Sequence, residues 1–399
     1  MIDKVTRARD FAGAIYMPSF LLATSRGLLI PVFPLYLLSF DISYGIVGLI
    51  LAAESIGTLV SDIPAGKLLR WFCKKTCMLL GIILVTISTG ALFWIDQLLL
   101  IFALRLISGV GMALWGTSRH AYMAEAVSNN RRGRSIAVLG GLGRAGTFVG
   151  PVLGGVLGSE FGLGKTFLVC SFFSIAGLIF VFNFVYIPRH IEISSGSSDK
   201  SLFDVFSANR RLLVIAGAGQ LCAQMVRSAR STIVPLYGGS MLGLDVQSIG
   251  VLIGFSSAID VLMSFPAGLI MDRLGRKLAY LPSFILLAVG MLLIPITTDY
   301  WSLQLVVLLM GFGNGLGAGS MMTLGADLAP THSRGEFLGI WRFVGDGGSA
   351  CSPLIIGIIA ERIGLFGAPV VAAILGLIGV SILGWGVPET LKKVSKNHR

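Results

Sequence analysis

Eleven ionisable side chains interrupt runs of apolar residues: Arg26, Arg105, Arg119, Arg144, Arg227, Arg230 and Arg342, with Glu54, Asp62, Asp260 and Asp346. Inside hydrocarbon such a group costs about 3 kcal/mol or more unless it is paired or faces water. It therefore either locks helices together or lines a polar path. A carboxylate whose proton affinity swings as exposure and neighbours change can carry a proton. Glu54 or Asp346 fits that role best, with Arg105 or Arg144 as the cation that approaches and displaces the proton. Arg26, Glu54 and Arg144 lie deepest in their runs and are assigned to a cavity. Arg119, Asp62 and Arg230 divide evenly between a cavity and structural pairs or snorkelling ends. Seven cations against four acids, and Arg26 rather than an acid in the first run, favour an anionic or zwitterionic amphipathic solute. Tyr36, Trp115 and Trp341 are expected to supply its aromatic contacts.

The elements that must position these groups follow from composition. The 399 residues are 54% hydrophobic and 13% charged, with a mean hydropathy of +0.84. Soluble domains carry about 25% charged residues, so a soluble enzyme, a secreted disulfide scaffold and a disordered regulator are excluded. Lipid is the solvent. A span needs about 20 mainly apolar residues, and twelve such stretches follow one another: 12–38, 45–66, 76–95, 98–123, 134–157, 165–187, 212–238, 247–270, 278–297, 302–326, 337–360 and 366–387. No alternating short strands suggest a membrane barrel. The first stretch is too long for a signal core and is read as a retained span. The five cysteines fit no zinc spacing and read as free small hydrophobes.

Positive charge orients the chain. With both termini in the cytoplasm, the inner segments hold 22 Lys and Arg, whereas the outer loops hold Lys165 and Arg362 alone. Cytoplasmic loops of membrane proteins carry such an excess; the net charge of +11 therefore signals topology rather than nucleic acid. The inner set includes Lys4, Arg7, Arg9, Arg70, Arg131, Arg132, Arg134, Arg189, Lys200, Arg334 and Lys392. The longest polar stretch, 189–211, reads as a cytoplasmic linker between an N-terminal bundle (1–188) and a C-terminal bundle (212–399), with a short amphipathic helix around Leu202–Phe206.

The two halves repeat. Pro64-Ala65-Gly66 returns as Pro266-Ala267-Gly268, Gly109-x-Gly111 as Gly311-x-Gly313, Arg132-Gly133 as Arg334-Gly335 and Pro151 as Pro353, all shifted by 202 residues. Pro34-Leu35-Tyr36 returns as Pro235-Leu236-Tyr237 with a shift of 201. Duplicated bundles with a shared midplane site are a recurring transporter architecture. Arg26 and Arg227 occupy equivalent positions, as do Arg144 and Asp346. The last two are opposite in sign, which suggests a bridge across the pseudo-twofold axis.

The stretch Gly268-Leu-Ile-Met-Asp272-Arg273-Leu-Gly275-Arg276-Lys277 resembles the loop motif G-x-x-x-D-R-x-G-R-K of the major facilitator superfamily. Its acid at a helix end beside Arg and Lys offers a charge-assisted latch. The first copy departs from the motif: Arg70 replaces the acid and Cys73 the glycine, leaving Asp62 as a substitute anion. Arg105-x3-Gly109-x-Gly111 is similar to the superfamily's fourth-helix pattern. Gly146-x3-Gly150-Pro151-x2-Gly154-Gly155 resembles the fifth-helix motif of its twelve-span drug:proton antiporters, where small residues let helices approach closely. Gly141-x-Gly143-x2-Gly146 matches a dinucleotide fingerprint only as a string, because no strand precedes it.

The resemblance implies an all-α, twelve-helix fold of two pseudo-symmetric six-helix bundles, a multi-pass protein of the plasma (inner) membrane, and a monomer. It implies alternating access with Glu125 and Asp327 as gating pairs near Arg132 and Arg334, protons as coupling ion, no cofactor and no enzymatic activity. Neither His120 nor His332 is chosen as a proton carrier. Proton-coupled export of a small organic solute is the expected function. The rivals are uptake or facilitated diffusion of an anionic metabolite and a non-transporting receptor, the latter disfavoured by the absence of a sizeable polar domain.

Overall fold

The computed structural model describes residues 11–69, 71–127, 129–186, 207, 209–330 and 334–391, with the backbone alone at 129–134, 136, 137, 334 and 335. Of the expectations above, Lys4, Arg7, Arg9, Arg70, Arg189, Lys200, His332, Lys392, the linker over 189–206 and its amphipathic helix lie outside the described residues. The side chains of Arg131, Arg132, Arg134 and Arg334 do as well.

Among the described residues every long element is a helix. In chain order these are α1 (Ala12–Leu38, opening on a π-turn), α2 (Tyr44–Leu68), α3 (Lys74–Ala91), α4 (Leu98–Ala126), α5 (Asn129–Phe161) and α6 (Leu163–Phe184). The second set is α7 (Arg210–Ser240), α8 (Val246–Arg273), α9 (Lys277–Ile296), α10 (Tyr300–Leu328), α11 (Arg334–Ile363) and α12 (Gly367–Gly386). Eleven are long and apolar enough to cross a membrane. The exception is α5, whose nine glycines and Arg144 dilute its hydropathy. Caps set the helix starts where loops are short. Ser43 accepts from Ile46 N and Asp245, its repeat mate, from Ser248 N; Asp299 and Ser302 close a capping box on α10. These bonds satisfy amides that a helix start leaves unpaired.

The halves pack alike. In the first, α1 lies on α5 and α6, and α4 on α2 and α3; in the second, α7 lies on α11 and α12, and α10 on α8 and α9. Repeat-related prolines Pro34 and Pro235, Pro64 and Pro266, Pro151 and Pro353 all stand inside helices. One asymmetry breaks the pattern. Helix α10 is interrupted at Gly317–Gly319, with Gly319 at φ +73°, before resuming at Ser320.

Apolar side chains face outward as well as inward. Leu262, Phe265, Phe172 and Leu305 are exposed among many others, an arrangement that lipid requires and water would not support. Trp94 and Trp301 project at one end of the bundle and Trp71 and Trp385 at the other, each more than two-thirds exposed. Paired aromatic girdles mark the two membrane–water interfaces.

Candidate functional site

The halves meet along two seams, α2 on α11 and α5 on α8. Where α1 ends and α2 begins, both seams are backbone against backbone. A Cβ on Gly48 would lie 2.3 Å from Pro353 O and 2.8 Å from Gly357 Cα; one on Gly250 would lie 2.4 Å from Pro151 O and 2.8 Å from Gly155 Cα. Toward the opposite end the same helices diverge, and a Cβ on Gly66, Gly141, Gly268, Gly339 or Gly347 would meet nothing within 4 Å. The protein is thus sealed at one end and open at the other, where α1 starts and α12 finishes.

Helix α5 uses its glycine motif on two partners at once. Gly146, Gly150 and Gly154 bring it onto α1, with a Gly150 Cβ only 2.5 Å from Gly27 Cα, while Pro151 and Gly155 face α8. This close approach needs glycine, since any side chain would displace backbone.

Charged residues form three centres. In the first half Glu54 on α2 pairs with Arg26 on α1 at 3.1 Å and accepts from Arg105 on α4, its carboxylate buried. Arg105 also lies over the Phe33 ring, 4.8 Å from its centroid. Between the halves, Arg144 on α5 reaches Asp260 on α8 at 3.1 Å, and Asn314 on α10 donates to the other Asp260 oxygen at 2.5 Å. Asp260, Arg230, Asn314, Ser256, Ser231 and Thr147 line a cavity of about 200 Å³. A third centre crosses the other seam: Arg342 on α11 lies 3.3 Å from Asp346 and 3.8 Å from Asp62 on α2.

All four membrane acids therefore have a guanidinium, yet three guanidiniums have no carboxylate within 4.0 Å among the described residues. Arg227 donates to the Gly317 carbonyl at the α10 break (2.8 Å) and lies over Phe284. Arg230 donates to Ser256 Oγ at 3.4 Å. Arg119 donates to Ser19 Oγ at 3.2 Å, contacts His120 and covers Trp115.

The loop between α8 and α9 holds the expected motif in a compact tie. Arg276 bonds Asp272 (3.3 Å), Asp327 (3.1 Å) and the Met271 carbonyl, and Lys277 reaches the Gly384 carbonyl at 2.6 Å. Glu389, beyond α12, accepts from the Arg276 and Lys277 amides at 2.9 and 3.0 Å, capping α9. Gly275 turns the chain at φ +126°, and a Cβ there would lie 2.6 Å from Glu389 Oε2. Among the described residues, Gly268 and Arg273 make no contact that defines the tie. Burial raises the Glu389 carboxyl's proton affinity, but the amides of Leu391, Lys277, Arg276 and Thr390 outweigh it and leave its pKa below the ordinary value.

Several expectations differ from this geometry. Arg144 pairs with Asp260 and Asp346 with Arg342; the two repeat mates do not meet, because α5 packs on α8 whereas α11 packs on α2. Glu125 bonds Lys74 at 2.5 Å and Asp327 bonds Arg276, both pairs within one half, whereas the side chains of Arg132 and Arg334, their expected neighbours, lie outside the described residues. Asp62 faces Arg342 across the seam and does not complete the α2–α3 loop. Trp115 and Trp341 are core residues, the latter donating to Met321 O, and Tyr36 packs against Phe33, Phe40 and Phe167. Sequence reasoning missed Asn314, a lone amide in an apolar run, and Glu389, which lies past the last span and carried no signal.

Two overlapping segments, 16–261 and 216–399, match the family model described as Major Facilitator Superfamily. The chain belongs to the major facilitator superfamily. It is a multi-pass membrane transporter and not an enzyme. This transporter is 24% identical to the multi-drug resistance efflux pump PmrA homolog of Lactococcus lactis (90% of this chain, 91% of the relative). It is 21% identical to the quinolone resistance protein NorA of Staphylococcus aureus (96% of each). In fold it is similar to the human organic anion transporter MFSD10, with a TM-score of 0.70 at 19% identity over 95% of this chain and 100% of that one.

Proposed function

We propose that this transporter exports small organic solutes in exchange for protons, with the open end facing the cytoplasm of a plasma (inner) membrane and the protein working as a monomer. The observation that carries the reading is the glycine face of α5, which seals α1 and α8 around a one-sided cavity whose wall contains the carboxylate of Asp260. That face is the pattern resembling the drug:proton antiporters, and distant relatives named for drug resistance support it. The charge bias of the loops supports the orientation. Gradients rather than ATP drive the cycle, since the chain contains no Walker sequence.

Arg144, Arg227 and Arg230 surround one acid, Asp260, so the cavity favours an anionic or zwitterionic solute. That same excess gives weight to the rival reading, anion uptake by symport. Purified protein in vesicles with an imposed pH gradient separates them. An acidic interior drives accumulation of an anionic dye by antiport; an alkaline interior drives it by symport. Accumulation indifferent to either gradient would overturn proton coupling. Protease cutting of the linker at 189–206 in inside-out but not right-side-out cell vesicles tests the orientation.

A further inference from the structure

Of the four acids within the spans, three have partners that account for their oxygens or fix them in one half. Both Glu54 oxygens are taken, one by Arg26 and one by Arg105. Both Asp260 oxygens are taken by Arg144 and Asn314. Asp346 bonds Arg342 on its own helix. Asp62 is different: its Oδ1 is buried with no hydrogen-bond partner, its side chain is 17% exposed, and its nearest guanidinium, Arg342, is 3.8 Å away. The same Arg342 bonds Asp346, from the opposite half, at 3.3 Å, so the two carboxylates share one guanidinium. Two carboxylates are acceptors only, so they can bond one another across the seam only when one holds a proton.

We propose that Asp62 and Asp346 share the coupling proton across the seam between the halves, with Arg342 as the cation that competes for their charge. The proposal rests on the proton-coupled reading above and names the site at which coupling occurs. Its position explains why a proton there would matter. Along α2, Asp62 lies about 21 Å from the Gly48 seal at 1.5 Å per residue, where Arg342 of α11 still reaches it across the seam. Asp62 and Asp346 belong to opposite halves, so any sliding of α2 against α11 as the halves rock changes their separation on Arg342. Two ionised carboxylates beside one guanidinium resist being pressed together, whereas a protonated pair does not. The proton comes from water on one side and returns to water on the other, and no other bond forms or breaks.

The charged groups facing this pair are Arg342 on α11 and, on α4, Arg119 and His120, which Arg342 approaches closely enough to influence electrostatically. Arg342 Nη2 comes within 4.0 Å of where a Gly116 Cβ would sit, so it bridges toward α4 as well. Helix α7 brings the amides of Gln220 and Gln224 beside Gly345 and the Ser228 hydroxyl onto the Ser349 carbonyl.

The test uses the full chain in vesicles with an anionic dye, comparing gradient-driven accumulation with dye counterflow at equal pH on both sides. Asp62→Asn and Asp346→Asn, each reconstituted as monodisperse protein, are expected to lose accumulation and keep counterflow. Asp62→Glu and Asp346→Glu are expected to retain accumulation with a displaced pH profile. Accumulation in either Asn variant would overturn the shared-proton site. Loss of counterflow together with accumulation would overturn it as well, by making the pair part of the solute site. A wild-type protein that ignores the gradient sinks the export reading instead, which keeps the two failures distinct.

Discussion

Gly48 and Gly357 touch backbone to backbone where α2 crosses α11. A Cβ on Gly357 would come 2.5 Å from Tyr44 O and 2.9 Å from Gly48 Cα. The atoms in the way are main chain, which no rotamer change can move.

Gly48→Val is therefore expected to disfavour the sealed end by about 1–3 kcal/mol, the usual cost of overpacking, shifting the balance of states by about 5- to 150-fold. Distances between spin labels on the outer ends of α2 and α11 should lengthen. Distances between labels at the open end should shorten in the same sample. Unchanged distributions would show that the seam has room to yield.

The centre at Glu54 predicts an unequal pair of variants. Glu54→Gln leaves Arg105, whose side chain is 8% exposed, without its carboxylate. Removing one partner of a buried ion pair costs about 3–5 kcal/mol. Arg26 is 54% exposed at the side chain, and Arg26→Gln should cost much less, because water screens and replaces it. Thermal unfolding in detergent should rank Glu54→Gln well below Arg26→Gln, with wild type highest.

Asp260→Asn removes the one acid among Arg144, Arg227 and Arg230. Transport of anionic dyes is expected to gain on that of cationic dyes by on the order of tenfold in apparent affinity, equivalent to about 1.4 kcal/mol. Competition between a fluorescein-class anion and a rhodamine-class cation reads the ratio directly. A shift toward the cation would contradict the charge argument.

Acid should loosen the tie between α12 and the α8–α9 loop. Hydrogen bonds from backbone amides hold the pKa of Glu389 below its ordinary 4.5. A depressed carboxyl contributes stability that is present above the unfolded value and lost as pH falls through the folded one. Protection of the Arg276 and Lys277 amides, relative to the intrinsic exchange rate at each pH, should therefore be high at neutral pH and fall below about pH 4.5. In Glu389→Gln it should be low throughout.

Much of the architecture was legible because lipid imposes it one helix at a time. The stretches read as 12–38 and 45–66 emerge as Ala12–Leu38 and Tyr44–Leu68. Even α5, too glycine-rich to pass as apolar, was marked by its motif. What hydropathy does not encode is which face of one helix meets which face of another. The equivalence of Arg144 and Asp346 in the repeat is real in sequence, but symmetry sets such mates on opposite seams, where α8 and α2 intervene. Asp260 and Arg342 became partners through interhelical register. Glu389 illustrates the other blind spot: its role depends on a loop more than 100 residues away.

The interruption of α10 at Gly317–Gly319 separates the mechanical duties of that helix. Its first segment is clamped to α8 and α9 by glycine contacts, and its second is held by Trp341 and Arg276. Arg227, seated on the Gly317 carbonyl, ties that interruption to α7. The join between the two segments is therefore held from a helix that takes part in neither clamp.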